Sequence, residues 1–70
     1  MKIILSHHAK KRLVERGIKM QDIQETIEIP EYTIFKGNKK EAYKKVKNKT
    51  LKVVYIKEDN YIKVITLIWK

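Results

Sequence analysis

Met20-Gln21-Asp22-Ile23-Gln24-Glu25-Thr26-Ile27-Glu28-Ile29-Pro30-Glu31-Tyr32-Thr33-Ile34-Phe35-Lys36 holds the switch that decides the fold. Before Pro30, Met20, Ile23 and Ile27 recur at three and four residues and form one apolar stripe of a helix. Pro30 ends that helix, because the residue before a proline is pushed out of helical conformation. Beyond it the period drops to two. Tyr32–Lys36 reads as a short strand, followed by a Gly37-Asn38 turn.

Upstream lies a first helix. Ser6 is a good N-cap, since its hydroxyl can accept from an orphan amide one turn on. His7 to Arg16 contains no Pro or Gly, and Gly17 supplies the left-handed stop. The second helix then starts near Lys19 or Met20. Downstream, Glu41–Lys47 reads as a weaker, Lys-rich strand suited to an edge or an open face, and Asn48-Lys49 as a tight turn. Leu51–Lys57 and Tyr61–Trp69 are the strongest strands, rich in Val, Ile, Tyr and Thr, with Glu58-Asp59-Asn60 joining them as a hairpin. The sequence therefore predicts an α+β domain: two N-terminal helices on one face of a four-stranded antiparallel sheet (ααββββ).

Two helices cover one side of such a sheet and leave the other partly open. In the last strand Ile62, Val64, Thr66 and Ile68 alternate with Tyr61, Lys63, Ile65, Leu67 and Trp69. Neither set is clearly polar, so pattern alone does not choose the buried face. An open face of aromatics interleaved with lysines suits single-stranded RNA, because rings stack on bases and ammonium groups meet phosphates. The same aromatics also suit a small core shielded by the lysines.

The chain has 70 residues, which predicts one domain spanning 1–70. A chain this short buries only about 60% of its unfolded surface. It has no cysteine, which excludes disulfides and thiolate metal sites. Seventeen Lys and Arg against eight Asp and Glu give +9 and a pI near 9.9. That balance is the electrostatic footprint of a nucleic-acid binder, and it fits an anionic membrane surface or an acidic protein as well. Compositional bias toward Lys also produces it. The charge is segmented: residues 1–20 carry +5, residues 21–31 carry −4 and residues 32–70 carry +8. Met1 to Leu5 is too short for a signal-peptide core and no apolar run approaches about 18 residues, so a cytoplasmic protein without membrane contact is expected.

His8, Arg12 and Arg16 recur every four residues on the first helix. At about 100° per residue they fall at roughly 0°, 40° and 80°, with Ala9 and Leu13 at roughly 100° and 140°. The row thus borders the apolar stripe. A histidine moves protons near neutral pH, and an arginine forks onto phosphate oxygens and stabilises growing charge. Cleavage of RNA through its 2′-hydroxyl needs those functions and no metal. The same row also suits a capping His and two Arg paired to Glu15 and the acids of the second helix. His7 and His8 point about 100° apart and no HxxxH or HExxH pattern supports them, so no metal site is expected. A Gly-rich phosphate loop is missing, and Ser6, the only serine, reads as a cap rather than a nucleophile.

Ser6, His8-Ala9, Arg12, Arg16 and Gly17-Ile18, together with Ile29-Pro30, the strand Leu51 to Tyr55, and Val64-Ile65-Thr66 with Trp69 close behind, resemble a small prokaryotic family known as domain of unknown function 4258. The resemblance covers nearly the whole chain. It implies a link to RelE-like toxin ribonucleases and colicin-type nuclease domains, with two N-terminal helices on a four-stranded antiparallel sheet. Those are metal-independent, RNA-cleaving domains often encoded beside a neutralising antitoxin. Carried over by position, the candidate catalytic residues are His8, Arg12, Arg16 and Thr66. Gly37 to Thr50 departs most from the pattern. Its extra lysines, Lys44, Lys45, Lys47 and Lys49, together with Lys52, are candidate RNA-steering groups.

The combined expectation is a toxin-like, metal-independent ribonuclease or RNA-binding domain of a toxin–antitoxin type system. It needs no cofactor, its partners are RNA and an acidic antitoxin-like protein, and it is a monomer or a homodimer. Two alternatives stay open: a non-catalytic basic module that binds RNA or an acidic protein, and a small interaction domain whose His/Arg row is structural.

Overall fold

A one-residue irregularity in the last strand sets which of its residues face the helices. The computed structural model describes residues 2–70. The chain runs β1 (Ile3–Leu5), α1 (His7–Glu15), α2 (Met20–Glu28), β2 (Tyr32–Lys36), β3 (Lys39–Val46), β4 (Lys49–Lys57) and β5 (Ile62–Trp69). The sheet order is β1-β5-β4-β3-β2, with β1 parallel to β5 and the other neighbours antiparallel. The α+β class and the two helices on one sheet are as predicted, and the element order matches RelE-like topology. The structure adds a fifth strand. Ile3-Ile4-Leu5 is too short to show a period, and its partner lies at the far end of the chain.

On β5, Val54 pairs with Thr66 and Tyr55 with Val64, so Ile65 is skipped. This bulge resets the alternation. Ile62 and Val64 before it, and Leu67 and Trp69 after it, face the helices together. The expected grouping of Ile62 and Val64 with Thr66 and Ile68 is therefore corrected. A strict two-residue period cannot run through an inserted residue.

The helix-side core joins Ala9, Ile18, Ile23 and Ile27 to Ala42, Leu51, Val53, Tyr55, Ile62, Val64 and Leu67, with Leu5, Leu13 and Trp69 packed around it. Burying each larger aliphatic side chain contributes roughly 1.5–3 kcal/mol. Ala9 and Ala42 are fully buried small residues where helix and sheet approach. Met20, expected in the α2 stripe, is exposed at the first helical position, and Ile18 fills that end of the core instead. Burial pushes the Tyr55 phenol up. The folded state thus favours the neutral ring. Its contribution to stability is complete below about pH 10 and is lost as the pH rises further.

Local chemistry fixes the connections. Gly17 at φ 62° follows the C-cap Arg16. The Ile18 N–H donates to the Leu13 carbonyl and the Gly17 N–H to the Val14 carbonyl, the pattern of a Schellman ending. At α2 the Asp22 carboxylate accepts from the Lys19 N–H at 3.1 Å, and Lys19 has no acceptor to return the bond. Lys47 at φ 53° and Asn48 at φ 34° form the β3–β4 turn, one residue earlier than expected. Both central residues of a type I′ turn must be left-handed. β3, read as an edge or open-face strand, lies between β2 and β4, and β2 is the edge.

Ser6 ties α1 to the bulge. Its hydroxyl donates to the Ile65 carbonyl at 2.7 Å and accepts from the Ala9 N–H at 3.0 Å, while its own N–H donates to the Val64 carbonyl. Ser6→Ala removes two of these bonds and should cost about 1–2 kcal/mol. At this size that lowers the melting temperature by several degrees, about 4–8 °C per kcal/mol. A thermal melt unchanged from wild type would contradict this role.

Candidate nucleic-acid interface

Directly paired residues on neighbouring strands share a face. Tyr32 and Ile34 of β2, Glu41 and Tyr43 of β3, Lys52 and Val54 of β4, and Thr66 and Ile68 of β5 therefore lie on the side away from the helices. Tyr32 and Tyr43 stack across the strands, with centroids 4.5 Å apart and planes 12° from parallel. Tyr43 is buried by this contact, whereas Tyr32 stays 53% exposed.

Beside the rings sits Glu41, which is only 9% exposed. The Tyr43 hydroxyl donates to it at 3.3 Å, and the ammonium groups of Lys52 and Lys36 lie at 3.6 and 3.8 Å. A carboxylate this enclosed needs such partners, since an unpaired buried charge is very costly. Lys52 also lies 5.8 Å from the Tyr43 ring centroid. One carboxylate thus gathers two lysines against an aromatic pair. Counting outward from the Gly37-Asn38 turn gives this register, so the cluster was recoverable once that turn was taken as two residues long.

The His/Arg row lies on the flank where α1 meets β5. Arg16 Nη1 donates to the Leu67 carbonyl at 3.0 Å, and the Trp69 indole donates to the Arg16 carbonyl at 3.2 Å. Arg16 therefore pins the end of α1 to β5, while its other guanidinium donors remain. Arg12 pairs with Glu15 at 2.7 Å on the helix surface. Exposed pairs of this kind contribute about 0–1 kcal/mol, so the contact is easily exchanged. His8 is exposed. Thr66, half-buried, is next to Leu67 in β5. Arg16 reaches the β5 backbone at Leu67, while the side chain of neighbouring Thr66 lies on the opposite, open face. Among the described residues no hydrogen bond joins His8 to Arg12, Arg16 or Thr66.

The five candidate lysines do not form one surface. Lys45 and Lys52 lie on the open face, and Lys47 is at a turn tip. Lys44 reaches the Ile29 carbonyl at 3.1 Å, and Lys49 sits 5.8 Å from the Trp69 ring, both on the helix side. Sequence reasoning missed Tyr32, Tyr43, Glu41 and Lys36 as a unit. An open cleft of about 530 Å³ lies elsewhere, between the β2–β3 and β4–β5 turns, lined by Gly37, Asn38, Lys40, Lys57, Glu58 and Asp59. None of the candidate residues lines it. Among the described residues no three His, Asp or Glu side chains converge as a metal site would require.

Arg16→Ala and His8→Ala separate the member of the row that is bonded to the sheet from one that is not. Arg16→Ala loses a bond to a backbone carbonyl and should cost about 1 kcal/mol. His8→Ala should stay within about 0.5 kcal/mol of wild type. Urea unfolding of both variants measures this, and equal destabilisation would contradict the division.

No curated protein and no solved structure matches the chain. Among the described residues no helix is long and apolar enough to cross a membrane. One family does match, described as Domain of unknown function (DUF4258), over residues 5–69. That span holds the capping serine, the His/Arg row, the Tyr32–Tyr43 stack and the bulged last strand, and the chain belongs to this family.

Proposed function

We propose that the chain is a toxin-like domain that binds single-stranded RNA across its open sheet face and cleaves it without a metal at the α1–β5 flank. The observation that carries this reading is the Tyr32–Tyr43 stack with Lys36 and Lys52 gathered beside it on the uncovered face. An exposed ring offers a stacking platform to any base, and adjacent ammonium groups meet the backbone phosphates. The family match and the RelE-like element order are consistent with such a role.

In the catalytic version, His8 takes the proton of a 2′-hydroxyl as that oxygen attacks phosphorus. The bond from phosphorus to the 5′-oxygen breaks, a cyclic phosphate forms, and the leaving oxygen takes a proton from the returning imidazolium or from water. Arg12 swings from Glu15 to the non-bridging oxygens, and the remaining donors of Arg16 add to it. The Thr66 hydroxyl orients the phosphate or the imidazole. Lys45, Lys47 and Lys52 steer the strand, with Lys44 and Lys49 on the far side contributing only at long range.

A second reading is a non-catalytic RNA module. It is favoured by Arg12 and Arg16 each having an internal partner and by an exposed His8 that no hydrogen bond orients.

Purified protein should cleave single-stranded RNA in EDTA, and His8→Ala should abolish cleavage while leaving the circular-dichroism melt unchanged. Intact RNA with salt-sensitive binding would select the second reading. Tyr32→Ala should weaken RNA binding about fivefold or more, since one base–ring stack is worth roughly 1–3 kcal/mol. Unchanged affinity in that variant would overturn the open face as the binding surface.

A further inference from the structure

Among the described residues, Glu41 is the only acid in the five strands. Alternation places it on the uncovered face with Lys36, Lys39, Lys45, Lys52 and Lys63. It is enclosed there, and both of its carboxylate oxygens are engaged. Oε1 accepts from the Tyr43 hydroxyl, while Oε2 lies near the ammonium groups of Lys36 and Lys52.

Neither stability nor simple attraction accounts for an acid at this place. A buried ion pair is often no more stable than well-packed apolar side chains of similar volume. Apolar neighbours are at hand, since Ile34 and Val54 pair directly with Glu41 on the flanking strands. A negative charge also weakens the pull of a basic face on any polyanion.

What the carboxylate supplies is geometry. Lys36 and Lys52 come from the strands on either side of β3, and their ammonium groups lie 3.8 and 3.6 Å from the same oxygen. Without that charge between them the two lysines repel each other. Lys52 is also held beside the Tyr43 ring, the buried half of the stack whose exposed half is Tyr32. The register sets Tyr32, Tyr43 and Lys52 in one row across three strands, with Glu41 in the next row.

We infer that Glu41 is a specificity-determining residue of the open face. It fixes Lys36 and Lys52 beside the tyrosine stack, so that one nucleotide meets a ring with its base and the lysines with its phosphate. By the same charge it disfavours polyanions that have no base to stack. The inference rests on the reading of this face as an RNA surface, and adds that the face selects nucleotides over bare phosphate chains.

Glu41→Gln keeps the shape of the side chain and a partner for the Tyr43 hydroxyl but removes the charge. The test measures the affinity of the full chain for a short single-stranded RNA and for inorganic polyphosphate. It compares wild type with Glu41→Gln, Lys36→Gln and Tyr32→Ala, and circular dichroism checks each fold. Wild type should prefer RNA. Glu41→Gln should bind polyphosphate as tightly as wild type or tighter. Its preference for RNA should fall about fivefold or more, because two lysine side chains must then be ordered on binding. Lys36→Gln, at an exposed position, should lower the preference about twofold or more. If Glu41→Gln loses its fold, Lys36→Gln decides. Tighter binding of both ligands by Glu41→Gln with the preference unchanged would overturn the inference, as would an unchanged preference in Lys36→Gln. Weakened RNA binding by Tyr32→Ala beside either result keeps the RNA surface and removes only the role of Glu41. A wild type that binds no RNA, or a Tyr32→Ala variant that binds it as tightly, overturns the RNA reading and this inference with it.

Discussion

The bond from the Ser6 hydroxyl to the carbonyl of Ile65 joins the start of α1 to the bulge in β5, and the rest of the architecture is arranged around it. The bulge lets Ile62, Val64, Leu67 and Trp69 all face the helices. Beyond the end of β1, the carbonyls of Val64, Ile65 and Leu67 would be an open sheet edge. Ser6 at one end of α1 and Arg16 at the other satisfy them. A nine-residue helix with one buried alanine holds its place through these bonds as much as through apolar area. In a chain with no disulfide and so little core, directional bonds to the sheet edge carry a larger share of the fold than they would in a larger domain.

Much of this was legible in the residues. The three-and-four spacing before Pro30, the Ser6 cap, the Gly17 stop and the β-branched runs each have a local physical cause, so they were readable locally. The three-residue β1 and the Ile65 bulge were not. The first is defined by a partner strand about sixty residues away and the second by the pairing of β5 with β4, and neither leaves a period in the sequence. The lysines illustrate the same limit. Lys44, Lys45, Lys47, Lys49 and Lys52 look like one basic run, yet alternation along the strands and the turn at Lys47 scatter them over two faces. In contrast, Glu41 reads as a stray acid among lysines, and the fold makes it the group that holds Lys36 and Lys52 beside the tyrosines.

The two helices differ in charge: α1 carries Lys10, Lys11 and Arg12 against Glu15. The α2 helix carries Asp22, Glu25 and Glu28 and no base. On the opposite side of the sheet, lysines stand among aromatic and aliphatic side chains. An incoming polyanion is thus repelled from α2 and drawn toward the uncovered strands and the His8–Arg12 flank. The row that first drew attention on sequence grounds is divided by the structure. Arg16, though exposed, bonds to the β5 backbone, half-buried Arg12 pairs with Glu15, and His8 is exposed.

The central claim is that the uncovered sheet face, continued by the α1 flank, receives single-stranded RNA. Backbone amide shifts of the isotope-labelled chain, followed by NMR while a short single-stranded RNA is added, test it most directly. The account predicts that the largest changes fall on Tyr32, Lys36, Tyr43, Lys52 and Thr66, and extend to His8 and Arg12. Changes confined to α2 and the turn residues Glu58 and Asp59, or none at all, would contradict it.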